Sequence, residues 1–354
     1  MHIIRSFMFL NLYAKNKFKH CCFFPKMGVM RKIFVFVFSF VAMSLNANTI
    51  LRAGITPVFP NALFKKNISD YVYTVSGYTV KNLSDIEAEE RASMESLQSV
   101  LLNNDLVGIY GKPNAYTMGV LGRYDVTELD PIVDYYVQLY DAANGERGVI
   151  PVLYLIYATC FPGGDLGLLS DSTVKKYIDY AAERGWYVFL DHQIGRFSVE
   201  NAINTLLPYL KYRNVHLAID PEWHTDKPMQ EIGSVSAAEI NKAQQMIQDY
   251  LIKHNIPERK FFVIHQFNAV MIQQRSAVRS NFDRVQLIHC SDGHGSPYLK
   301  RQTYAYNAAA YNMPLKSFKL FTKPTVAGAG YDIPIMTPEE VLNLQPRPYF
   351  IMYQ

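Results

Sequence analysis

From Leu106 onward, short apolar, β-branched runs alternate with polar amphipathic segments. The runs are "LVGIYG" (106–111), "VIPVLYLIYA" (149–158), "WYVFLDH" (186–192), "VHLAID" (215–220), "KFFVIHQ" (260–266), "VQLIHC" (285–290), "SFKLFT" (317–322) and "PYFIMY" (348–353). Apolar residues at consecutive rather than alternate positions mark strands covered on both faces, as in a parallel sheet. The segments between them carry helix start and stop signals. Asp171 precedes "STVKKYIDYAAERG", and Gly185 is placed to stop it. Ser236 with Glu239 makes a capping box ahead of an amphipathic run to His254, and Thr337, Pro338 and Glu340 give a cap with proline at the first helical position. Eight strands alternating with helices predict a (β/α)8 barrel of the TIM type over residues 84–354. The fifth and seventh connections carry the weakest helical pattern. No helix follows the last run, and a capped segment from Ser84 to about Leu102 is expected to fill that gap. Residues 48–83 read as an irregular or β-rich lead-in.

The first residues have a different character. From Met30 the chain reads "MRKIFVFVFSFVAMSLNANT": two positive charges, an apolar run from Ile33 to Val41, then small residues. This is the layout of a secretory signal peptide, with an apolar core too short to cross a bilayer comfortably. Residues 1–47 are therefore read as leader, with 1–29 explained by a start codon placed too early or, alternatively, by a long n-region, and the mature chain is expected to be exported, periplasmic or extracellular. Nothing downstream offers about twenty unbroken apolar residues, so no membrane span is expected after the leader is removed.

Removing the leader changes the charge. The whole chain has 35 Lys and Arg against 31 Asp and Glu, a net of +4, but seven of the cations and none of the anions lie before Asn48. The remainder has 28 against 31, a net of −3, which gives no support for nucleic acid as a partner. Cys160 and Cys290 are the two cysteines left. They are too few for a disulfide scaffold, and are read as buried thiols ahead of a Cys–His nucleophile pair with His265 or His289.

In a parallel barrel the ligand side is the carboxyl end of the strands, and the polar residues gather there. The third run ends in Asp191, His192, Gln193 and Arg196, and the fourth in Asp220, Glu222, Trp223 and His224. The fifth ends in His265 and Gln266, the sixth in His289, Ser291, Asp292 and His294, and the first runs into Tyr110 and Lys112. In this order "FLDHQIGR", "LAIDPEWH", "IHQF" and "IHCSDGHG" resemble an uncharacterised family of exported bacterial proteins, many of them lipoproteins. That family has near-matching D-x-Q-x-G-R, D-P-E-W, H-Q-F and H-x-D-G segments. The resemblance spans roughly residues 105–340 and implies a (β/α)8 barrel with its site at these strand ends; it brings no activity with it. The acceptor cysteine of a lipoprotein is absent here.

Three kinds of chemistry fit these residues. The first is glycoside hydrolysis of a glycan or cell-wall carbohydrate. Asp220 and Glu222 stand two residues apart and share a side if the strand persists, about 6–7 Å between backbones, within the range glycosidases use. Asp191 is a third carboxylate able to raise a neighbour's pKa. Trp223 would stack on a sugar, with Arg196, Gln193, His192, His224, His265, Gln266, His289, Asp292 and Lys112 as further contacts. This reading needs no cofactor. The second is metal-assisted hydrolysis, with His265, His289, Asp292 and Asp191 as ligands for zinc or a similar divalent ion. The third is a non-catalytic glycan-binding protein.

Overall fold

A computed structural model describes residues 99–354, and the leader, the lead-in and most of the expected helix at 84–102 lie outside the described residues. Only a 3-10 turn at Val100–Leu102, capped by Ser99, belongs to that helix. The sequence runs become eight parallel strands. They are β1 (Asn104–Gly111), β2 (Gly148–Cys160), β3 (Tyr187–Gln193), β4 (Val215–Asp220), β5 (Lys260–Gln266), β6 (Val285–Ser291), β7 (Leu315–Leu320) and β8 (Phe350–Tyr353). Each pairs with the next, and β8 pairs with β1 through Leu106↔Phe350 and its successors, so the sheet closes on itself. The chain is a (β/α)8 barrel.

Helices α1 (Leu129–Asp141), α2 (Asp171–Glu183), α3 (Val199–Leu206), α4 (Ala237–Lys253), α5 (Pro297–Ala308) and α6 (Pro338–Leu342) cover the outside. The capping boxes at Ser236/Glu239 and Thr337/Glu340 form as predicted. At α2 the cap is Ser170, whose Oγ accepts the Thr173 N–H, and Asp171 is the first helical residue. A carboxylate there faces the positive end of the helix dipole, so Asp171 still helps to start the helix. The two weak connections are the irregular ones. Between β5 and β6 there are 3-10 turns at Ala269–Met271 and Arg275–Ala277 in place of an α-helix, and α6 has only five residues.

Inside the barrel an aromatic plug fills the lower half. Phe189 stacks on Tyr154 at 5.4 Å between ring centres and packs on Phe350 at 4.9 Å. At the start of β1, on the parity of the outward-facing Val107 and Ile109, Asp105 is fully buried and takes two hydrogen bonds from Arg347 and one each from Arg147 and Asn144. The barrel is thus a packed body, and the polar strand-end residues gather at its carboxyl end.

Candidate functional site

Strand alternation decides which strand-end residues meet. In β3 the inward positions include Phe189 and Asp191; in β5 they include Val263 and His265, and in β6 Ile288 and Cys290. Four buried side chains from alternate strands form an inner layer near the carboxyl end: Tyr110 of β1, Asp191 of β3, His265 of β5 and Lys319 of β7. Layers built from alternate strands are the normal filling of such barrels, but here the layer is polar. Asp292, just past β6, joins it.

The five groups form a closed circuit. Lys319 Nζ donates to Asp292 Oδ2 at 3.1 Å, and His265 Nδ1 lies 3.1 Å from the same oxygen. On its other side His265 Nε2 is 2.7 Å from the Tyr154 hydroxyl and 3.7 Å from Asp191 Oδ2. Tyr110 donates to that Asp191 oxygen at 2.9 Å, and Lys319 Nζ sits 3.9 Å from the centre of the Tyr110 ring, closing the circuit.

The electrostatics sort the carboxyl groups. Burial alone would raise Asp292, but the Lys319 charge and the His265 hydrogen bond outweigh it and hold this carboxyl well below its usual range. Burial likewise works against charge on His265; Cys290, Asp191 and the Asp292 hydrogen bond overcome it and hold the imidazole well above its usual value. As an imidazolium His265 donates from both nitrogens, to Asp292 and to the Tyr154 oxygen. Asp191 is raised, chiefly by burial, with His265, Lys319 and the Tyr110 hydrogen bond pulling the other way. Asp220 is pushed up to about 7 by burial, opposed by His265 and reinforced by Asp191 and Asp292. Glu222 is held well above the ordinary glutamate value by burial and by the Asp220 and Asp292 charges.

β4 stops at Asp220, because Pro221 opens a 3-10 turn, Pro221–Trp223. Proline has no N–H to continue the ladder. The same-side argument for Asp220 and Glu222 therefore does not come from strand periodicity. Instead, the turn lifts Glu222 out of the wall, half-buried, into a cavity of about 210 Å³ that it lines with Trp223, Met229 and Ile232. Asp220 stays inside at 1% exposure, and its Oδ1 has no hydrogen-bond partner; nor has Asp191 Oδ1.

The remaining sequence candidates fall elsewhere. His289 faces outward, between Gln266 Oε1 at 2.9 Å and Lys316 Nζ at 3.2 Å, and burial with the Lys316 charge holds it well below its usual value. Gln266 is on the same outer face and donates to the Asn268 carbonyl. His192 points away from the circuit toward Tyr157 and α3, and burial lowers it to about 4. Gln193 accepts the Cys160 N–H at 2.7 Å, Arg196 pairs with Asp165 at 2.7 Å, and His224 Nδ1 meets the Ser234 carbonyl at 2.7 Å. Lys112 lies over the Phe161 ring at 5.8 Å. Of the four residues proposed as metal ligands, Asp191, His265 and Asp292 share the inner circuit and His289 is on the other side of the wall. Among the described residues no group of three or more His, Cys, Asp or Glu is arranged to hold a metal ion. Cys160 and Cys290 are buried and unpaired.

Much of the quoted motif set is scaffolding. Gly195 has φ +65°, and a Cβ there would lie 2.3 Å from the Gly164 carbonyl oxygen. Its N–H donates to the Trp223 carbonyl, and the Arg196 N–H donates to Gly164 O. This lashes together the loops after β2, β3 and β4, and so fixes the turn that carries Glu222. The Glu222 carbonyl accepts the Gly233 N–H at 2.7 Å, which folds the 224–233 loop back on the cavity.

A polar circuit at the carboxyl mouth of a closed (β/α)8 barrel is the class of architecture this chain defines. Solved structures similar to it are the Group IV chitinase of Ostrinia furnacalis in complex with allosamidin (12% identity, 66% of this chain and 71% of that chain, TM-score 0.38), a chitinase from Chromobacterium violaceum (13%, 61% and 68%, 0.34) and GH26C from a Muricauda species (13%, 74% and 82%, 0.36). No protein-family model and no curated protein matches the chain.

Proposed function

We propose that the protein is an exported hydrolase that cleaves a glycan or cell-wall carbohydrate, with Glu222 as proton donor and Asp220 as its partner carboxylate. One observation carries this reading. Two carboxyl groups two positions apart at the barrel mouth occupy different environments: Glu222 half-buried on a cavity wall with its pKa raised, Asp220 enclosed with its Oδ1 unpaired. Glycosidic cleavage needs that division, an acid for the leaving oxygen and a carboxylate for the positive charge that develops on the sugar. Glu222 delivers the proton from the cavity wall. Asp220, in its carboxylate form, faces the developing charge as nucleophile, base or stabiliser. Asp191 keeps Asp220's charge poised, and the Lys319–Asp292–His265 chain holds Asp191 in place. Trp223 offers the sugar a flat apolar face beside Glu222. Export rests on the leader from Met30.

The test is release of reducing ends from a panel of cell-wall and storage polysaccharides by the wild-type chain and by Glu222→Gln. Loss of a positioned acid lowers kcat by about 10²–10⁴. Undiminished turnover by the Gln variant removes Glu222 from the role and the reading with it.

A further inference from the structure

We infer that the site takes a substrate bearing a primary ammonium group, seated on the Asp220 carboxylate; this deepens the glycan reading and rests on it for where the substrate lies. Four carboxyl groups gather at the mouth (Asp191, Asp220, Glu222 and Asp292) against two cations, Lys319 and His265. Both cations are already engaged. Lys319 is 3.1 Å from Asp292, and His265 lies between Asp292 at 3.1 Å and Asp191 at 3.7 Å. Among the described residues no ion pair reaches Asp220 or Glu222.

The geometry says where the missing positive charge belongs. Across β3 and β4, Asp191 registers with Ala218, and Asp220 registers with Gln193. Asp220 therefore stands two positions nearer the mouth than Asp191. The unpartnered Asp220 Oδ1, with Asp191 Oδ1 behind it, gives two enclosed acceptors without donors. A hydroxyl supplies one donor and no charge. An ammonium supplies three donors and a full positive charge, which is what a buried carboxylate lacking a cation requires. An N-acetylated amine has one N–H and is neutral, so the site distinguishes it from the free amine. The ammonium has two chemical sources in a glycan or cell-wall setting: an amino sugar with its nitrogen unacylated, or a diamino side chain on a peptide joined to the sugar.

Titration calorimetry on the full chain carrying Glu222→Gln, which removes turnover, tests this with three probes: a glucosamine tetramer, an N-acetylglucosamine tetramer and 1,5-diaminopentane. The expected result is binding of the glucosamine tetramer at least about tenfold tighter than its acetylated counterpart. Diaminopentane binding without a glucosamine preference assigns the ammonium to a peptide side chain and equally supports the inference. Adding Asp220→Asn should shrink the preference to under about threefold. The comparison among probes on Glu222→Gln stands even if the double variant fails to fold. Equal or tighter binding of the acetylated tetramer with no diaminopentane binding overturns the inference, as does absence of binding by all three. Turnover of neutral glycans by the wild-type chain without any amine preference would leave the hydrolase reading standing and sink this one. Amine-dependent binding without turnover of any glycan would do the reverse.

Discussion

Replacing Lys319 by Met removes one positive charge from a place water does not reach, since Lys319 is 3% exposed and Asp292 5%. The methionine fills most of the volume, so the loss is electrostatic. Asp292 keeps the His265 contact and the Gly293 N–H, and Tyr110 loses the ammonium over its ring. Breaking a buried pair by removing one partner costs about 3–5 kcal/mol, and at roughly 2–4 °C per kcal/mol for a domain of this size the melting temperature should fall by about 10 °C. The pH dependence identifies the cause. In the wild-type chain the Asp292 carboxyl is depressed, so its pairing contributes stability above the unfolded carboxyl value and loses it only in strong acid. In the variant burial meets less opposition and the carboxyl rises, so the deficit is present at neutral pH and shrinks once acid protonates the stranded carboxyl. Urea unfolding at pH 7 and in acid measures this: the deficit should be full at pH 7 and smaller in acid. A deficit below about 1 kcal/mol at pH 7, or one that does not shrink in acid, would refute the circuit as described.

Other outcomes follow from the same geometry. Asp220 is raised to about 7 in the folded chain, so its ionisation weakens the fold as pH climbs from about 4 through 7. Asp220→Asn should consequently gain on wild type as pH rises, by about 1–3 kcal/mol at pH 8, and urea unfolding showing a pH-independent difference would contradict this. Gly195→Ala forces a side chain into a φ of +65° and against the Gly164 carbonyl, and should cost more than about 2 kcal/mol in thermal unfolding. Gly145→Ala has a similar φ with open space around it and should cost only about 1 kcal/mol; equal losses would show that contact with Gly164 is not what matters.

The fold was legible in the sequence because parallel strands sealed on both faces leave an apolar run that little else produces. All eight runs became barrel strands, and the connections with weak helical pattern, the fifth and seventh, are the two built from turns or a five-residue helix. The site was legible in part. Polar residues at strand ends were read as one rim, whereas the two-residue period of a strand sends neighbours to opposite faces. His265 and Gln266 are adjacent in sequence and lie on opposite sides of the wall, as do His289 and Cys290. Lys319 went unrecognised because it lies within a run rather than at its end. The signal that finds it is the layer rule: Tyr110, Asp191 and His265 on the first, third and fifth strands call for a partner on the seventh, and "SFKLFT" holds one lysine at an inward position. Glu222 was placed by a periodicity that Pro221 breaks, so its position in the cavity depends on the turn and on loops lashed through Gly195, which no spacing encodes.

The division of labour between the two mouth carboxyl groups is the centre of this account, and a carboxyl ¹³C NMR titration of the full chain measures it without a substrate. Comparison with Asp220→Asn and Glu222→Gln would assign the two signals. The prediction is an Asp220 midpoint near 7 and a Glu222 midpoint well above that of an ordinary glutamate. Midpoints for both groups near 4, the value of exposed carboxylates, would contradict it.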